Sequence, residues 1–184
     1  MNIKKITRLS MLLAISVVLS LIESMIPMFN GTFVGIKLGL ANIVVLFTLY
    51  YFSFKEALTI SILRVFLLGI LRTGIFSITF FFSLSGALLS LLFMALFKKY
   101  TNFSIVGVSV IGSIMHSVGQ IIIAIIFLSN SNIAFYLPIL IIASVFTGII
   151  VGYCSKGLID KYKLDVDNTW YLFMLKVYLI WKRK

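Results

Sequence analysis

From Ser104 to Leu128 the chain reads Ser-Ile-Val-Gly-Val-Ser-Val-Ile-Gly-Ser-Ile-Met-His-Ser-Val-Gly-Gln-Ile-Ile-Ile-Ala-Ile-Ile-Phe-Leu, with no lysine, arginine, aspartate or glutamate. A helix needs about 20 apolar residues to cross a bilayer, and this run supplies them. Similar runs occupy residues 9–29, 38–54, 56–72, 75–97 and 134–156. Six such runs in 184 residues leave no room for a separate soluble domain. The chain is 61% apolar, only 11% charged, and has a mean hydropathy of +1.17. Soluble domains average roughly 45–50% apolar and about 25% charged. A water-soluble globule of this size could not hide so much apolar surface. Cys154 is the single cysteine, which excludes a disulfide-stapled secreted domain. The expected fold is therefore an all-α integral membrane protein, a bundle of six transmembrane helices over residues 1–156.

The charges orient this bundle. Net charge is +11, a value that would suggest nucleic acid in a soluble protein. Here the basic residues lie mostly between and beyond the apolar runs, as positive-inside anchors do. With the N-terminus in the cytoplasm, Lys4, Lys5, Arg8, Lys55, Lys98, Lys99 and the basic residues from Lys156 onward fall inside. Lys37 and Arg72 fall outside, and Arg64 sits within the third run. Both termini are thus expected in the cytoplasm, with the protein multi-pass in the cell membrane. The first run follows Lys4, Lys5 and Arg8 like a signal peptide, but no clear Ala-x-Ala-like site follows, and a retained first helix is expected. Residues 157–184 form a cytoplasmic tail. Trp170, Tyr171, Tyr178 and Trp181, with basic residues at the end, suit a helix lying in the inner interface.

Catalytic chemistry is absent from the pattern. No Gly-x-x-x-x-Gly-Lys-Ser/Thr loop is present to bind nucleotide phosphates. One histidine and one cysteine cannot build a structural zinc site. Glu23 and Glu56 are the only carboxylates before the tail, and the expected topology sets them at opposite faces of the membrane. The reading is a non-enzyme with no metal and no cofactor.

Polar groups inside a bilayer are costly, and they usually face a cavity or a partner. Glu23, Lys37, Asn42 and Arg72 fall toward the outer ends of their runs, and Arg64 toward the middle. Thr79, Ser83, Gly86 and Ser90 recur along the fourth run, and Ser109, Gly112, His116 and Gln120 along the fifth. This concentration predicts a pocket opening outward, lined by Lys37, Asn42, Arg64, Arg72, Ser83, His116 and Gln120. Glu23 is either the counter-charge of Arg64 in a structural pair or one member of a site where cations outnumber it. In the second case an anionic ligand balances the charge. His116 and Gln120 serve either as interhelical hydrogen-bonders or as ligand contacts. Arg72 and Lys37 are interface anchors or pocket residues. Gly35-x-x-x-Gly39 and Ser10-x-x-x-Ala14 place small residues four apart, for internal packing or, at Ser10 and Ala14, for docking on another membrane subunit.

Four stretches in order carry a resemblance: Gly35-Ile-Lys-Leu-Gly-Leu-Ala-Asn42; Glu56-Ala57 leading to Arg64; Ser83-Leu-Ser-Gly-Ala87 with Ser90; and Ser109-x-x-Gly112-x-x-x-His116-x-x-Gly119-Gln120. Together they resemble the Gx transporter family, also called heptaprenyl diphosphate synthase component I, over about residues 8–156. The resemblance implies a fold similar to the six-helix substrate-binding S component of energy-coupling-factor (ECF) importers. Such proteins bind a vitamin or precursor from outside, and a coupling subunit and two ATPases drive uptake. They often dock through Ala-x-x-x-Ala on the first helix, where this chain has Ser10-x-x-x-Ala14-x-x-x-Val18. The expected function is binding of a small anionic or aromatic molecule for import. The alternative is a non-catalytic membrane partner in quinone or prenyl-lipid metabolism or in a flavin-linked electron-transfer assembly. Chain elongation on a diphosphate resembles magnesium chemistry on aspartate-rich motifs, and no aspartate precedes Asp160.

Overall fold

The computed structural model describes residues 3–25 and 39–182, with side chains to Lys161 apart from those of Lys4 and Thr73. Among the described residues every regular element is a helix. Helix α1 is Ile3–Met25, α2 Leu40–Tyr51, α3 Phe54–Leu68, α4 Ile78–Tyr100, α5 Ile105–Leu128 and α6 Leu137–Lys182. A π-helical turn, Gly69–Thr73, prolongs α3, and a 3₁₀ turn, Ser131–Tyr136, leads into α6.

Local chemistry sets the boundaries. The fourth helix begins at Ile78 rather than near residue 75 because Ser77 caps it, its hydroxyl accepting from Phe80 N at 3.1 Å. Ser104 caps α5 in the same way, accepting from Gly107 N at 3.2 Å. Pro138 is the second residue of α6, where its missing N–H costs no helical bond. Helix α2 is shorter than its apolar run because Gly39, left-handed at φ 72°, turns the chain just before it. Helix α6 continues without a break well past the expected end at residue 156, to Lys182. The side chains of the tail, and with them the expected interfacial face, lie outside the described residues.

Four helical segments are long and apolar enough to cross a membrane: Lys5–Met25, Ile78–Tyr100, Ile105–Leu128 and Ser131–Lys161. Their outer surfaces are apolar, with Met11, Ile15, Val18, Ile122, Ile126, Ile142 and Phe146 exposed, while Asn42, Arg64 and several serines are buried. Long helices with apolar exteriors are what a bilayer requires.

Packing order follows from side-chain contacts. Lys5 pairs with Glu56 at the starts of α1 and α3, and Arg72 Nη2 donates to Ser24 O, 3.1 Å, at their far ends. These two helices are therefore parallel neighbours. Helix α2 is antiparallel to α1 and is the most enclosed element, with Ala41–Leu46, Thr48 and Leu49 buried. Its Val45, Leu46 and Leu49 meet Ala57, Leu91, Met94 and Val108 from α3, α4 and α5 in the main core. Burial on all sides explains why α2 shows no polar face. Lys98 on α4 closes the end of α2, donating to Leu49 O at 2.7 Å and lying 4.6 Å over the Tyr50 ring.

Helices α4, α5 and α6 join at seams of small residues. Ideal Cβ atoms on Gly148 and Gly152 would lie 2.7 Å from Val110 Cα and Val106 Cα, so α6 touches the α5 backbone. Further along this seam Ser117 and Ser144 share a hydroxyl hydrogen bond of 2.6 Å. Across the other face of α5, Ser85 Oγ donates to Gly119 O at 2.9 Å. Close backbone approach with hydroxyl bonding is how helices associate where lipid removes the hydrophobic drive.

Candidate functional site

Arg64 is the buried charge around which the site is organised. It leaves the middle of α3 and is 5% exposed. Its Nη1 donates to Asn42 Oδ1 at 3.3 Å, and Asn42 is itself buried in the first turn of α2. A guanidinium carries five N–H donors, and this is its one hydrogen bond among the described residues.

Glu23 does not form an ion pair with Arg64 among the described residues. Both its oxygens go to the start of α2: Oε1 accepts from Gly39 N at 2.5 Å and Oε2 from Leu40 N at 3.2 Å. A carboxylate at a helix N-terminus satisfies orphan N–H groups and complements the helix dipole. From this position Glu23 lies on the helix end next to Asn42, the hydrogen-bond partner of Arg64. Its neighbour Ser24 offers its carbonyl to Arg72, a cation placed at the C-terminal end of α1. Arg72 itself is exposed. The α1 end, the α2 start and the middle of α3 are thus drawn together by Glu23, Asn42, Arg64 and Arg72.

The residues expected from α4 and α5 form a second group. The His116 ring lies against Gly86, whose ideal Cβ would be 3.0 Å from His116 Cε1 and Nε2. Gln120 is buried one turn further on, and Ser83 is half-buried on α4. No hydrogen bond between described residues links Ser83 or Gln120 to Arg64. Lys37 and Gly35 lie outside the described residues. Ser10 and Ala14 are exposed on α1, beside the apolar Met11, Ile15 and Val18. Among the described residues no group of three or more His, Cys, Asp or Glu side chains is placed to hold a metal ion.

With this geometry in view, the comparison with known families is decisive. The model of the family described as heptaprenyl diphosphate synthase component I matches residues 12–158. The chain belongs to that family. No curated protein and no solved structure matches it. The family match runs from residue 12, within α1, to residue 158, within α6, and so includes Arg64, Asn42, Glu23 and every other described site residue except Ser10.

Sequence reasoning singled out Glu23 without its role as the cap of α2. The pairing joins positions 16 apart through the 26–38 segment, and no local motif signals it. It also passed over Gly148-x-x-x-Gly152, although small residues four apart were visible there, because the pattern is common in apolar helices.

Proposed function

We propose that this protein is a membrane-embedded substrate-binding subunit, with six crossings and both termini in the cytoplasm. It binds a small anionic molecule from outside, and separate ATPase partners acting through a coupling subunit energise uptake. The observation that carries this reading is the buried Arg64 guanidinium, which has no direct ion pair among the described residues. A guanidinium buried in the bundle favours a directly bound anion, and among the described residues its one hydrogen bond is to the neutral Asn42, while Glu23 bonds two backbone N–H groups of α2. A ligand carboxylate or phosphate supplies the direct ionic partner, with Asn42 orienting it beside Arg64 and Ser83, His116 and Gln120 offered from α4 and α5. Lys37 and Arg72 add positive potential toward the outer mouth. The exposed face of α1 around Ser10 and Ala14 is the docking surface for the coupling subunit.

The family's own description favours a second reading, a non-catalytic membrane companion of a prenyl-transfer or redox enzyme. Native mass spectrometry of the protein released gently from its own membrane separates the two. Copurifying ATPases and a coupling subunit, or added mass from a discrete small molecule, support the importer. A bound prenyl-transfer or redox enzyme over an empty bundle supports the companion. In the importer, Arg64→Ala removes the added small-molecule mass; retention of that mass by the variant would refute the role given to Arg64.

A further inference from the structure

Gly39 joins Glu23 to Arg64. Its N–H donates to Glu23 Oε1 at 2.5 Å, and its carbonyl accepts from Asn42 N at 2.8 Å. Asn42 Oδ1 in turn accepts from Arg64 Nη1 at 3.3 Å. Three hydrogen bonds therefore run from a carboxylate on α1, through one turn residue, to the buried guanidinium on α3. Glu23 Oε2 takes a second hold on the same turn through Leu40 N, at 3.2 Å. The turn is left-handed at Gly39, φ 72° and ψ 26°, a conformation that glycine adopts without steric cost. An ideal Cβ there would lie 3.5 Å from Asn42 Nδ2, so the Asn42 amide packs beside the residue that Glu23 holds.

The source of this cap is unusual within the chain. Helices α4 and α5 are capped locally, by the side chains of Ser77 and Ser104 at their own N-cap positions. The N-cap of α2 is Gly39, which has no side chain to offer, and the acceptor comes from another helix. A local cap would satisfy the same N–H groups. An acceptor on α1 also fixes where α2 begins relative to α1, and Asn42 lies in that first turn.

We infer that Glu23 is a positioning residue of the Arg64 site: by fixing the turn at Gly39 it sets the Asn42 amide, which aims the guanidinium. The consequence for binding rests on the substrate-binding reading above. A positioning role and a counter-charge role have opposite signs. A carboxylate that only balanced Arg64 would compete with an incoming anion, and removing it would tighten binding. A carboxylate that holds the guanidinium in its binding orientation lowers the cost of ordering it, and removing it weakens binding.

The test uses the full chain in phosphatidylcholine nanodiscs. With 15N-labelled arginine, the NMR signal lost in Arg64→Gln is that of Arg64. The hydrogen bond to Asn42 should give its Nη1 a resolved, slowly exchanging signal, which Asn42→Ala abolishes. Glu23→Gln and Glu23→Ala should abolish it too, although neither residue touches Arg64. Thermal unfolding at rising benzoate or inorganic phosphate reads the binding consequence. One of the two anions raises the wild-type Tm, and Glu23→Gln needs roughly tenfold more of it for half the shift. In an Asn42→Ala background the same substitution should move the midpoint no further, as expected of residues acting in series. A purely structural cap would lower Tm and leave both the Arg64 signal and the midpoint in place; that result, or a tightened midpoint, would overturn the inference. A wild type indifferent to both anions, with an Arg64 signal still dependent on Glu23, would overturn the anion-binding reading and leave the positioning role standing.

Discussion

At the scale of single residues, glycines separate what the backbone needs from what it tolerates. A Cβ on Gly152 would meet Val106 Cα at 2.7 Å, and main chain cannot yield as a side chain can. Gly152→Ala is expected to force α6 off α5 and to cost about 1–3 kcal/mol, as overpacking does, read as a lower Tm in nanodiscs. Gly157 has nothing within 4 Å, so Gly157→Ala is expected to be neutral or to stabilise by up to ~1 kcal/mol through helix propensity. Gly112 is intermediate, since the atoms nearest its missing Cβ belong to the flexible Met94 side chain. Glu23 offers a second residue-scale prediction. Glu23→Ala leaves the N–H groups of Gly39 and Leu40 without their acceptor. Hydrogen exchange at those two amides should accelerate, with a loss of about 0.5–2 kcal/mol typical of a removed cap; unchanged exchange there would show that the cap does not hold the start of α2.

At the scale of elements, the helices are joined by two different kinds of contact. Helices α4, α5 and α6 meet along continuous seams, backed by the Ser85–Gly119 and Ser117–Ser144 hydrogen bonds. Helix α1 buries little beyond Ser16 and Val17 and is held largely at its ends, by Lys5–Glu56 and by Glu23 and Ser24. Ser117→Ala removes one interhelical bond but leaves Ser144 bonded to Leu140 O. Its expected cost is about 0.6 kcal/mol, the usual size for such bonds in a membrane, measured by a double-mutant cycle with Ser144→Ala. The ion pair at the start of α1 is half-exposed on the lysine side, and Lys5→Met should lower stability by no more than ~1 kcal/mol. A larger loss in that variant would mean that α1 depends on this tie more than its exposure suggests.

At the scale of the whole molecule, the proposed topology assigns every loop to one side. Cys154, the single cysteine, is exposed near the start of the α6 extension. In intact cells a membrane-impermeant maleimide should leave it unlabelled, and should label it once the membrane is opened. In a Cys154→Ser background, a cysteine placed at Asn130, in the exposed α5–α6 connection, should react in intact cells. The reverse pattern would turn the bundle over and put the Arg64 site on the other path of access.

The apolar runs were enough to place the helices in order, and four of the helical segments are long and apolar enough to cross a membrane, because a bilayer demands long uninterrupted apolar segments wherever the chain crosses it. Each of those runs has its helix in the structure, and Arg64 stood out because a charge inside an apolar run has few physical excuses. What no linear reading could supply was the partner of each polar group. Glu23 could have faced Arg64 or anything else within reach, and only the folded chain brings it to the amides of Gly39 and Leu40, leaving Arg64 to Asn42. Helical periodicity records which residues share a face; which face meets which neighbour is decided by backbone approach at glycines and by the pairing of buried polar groups, and both exist only in three dimensions.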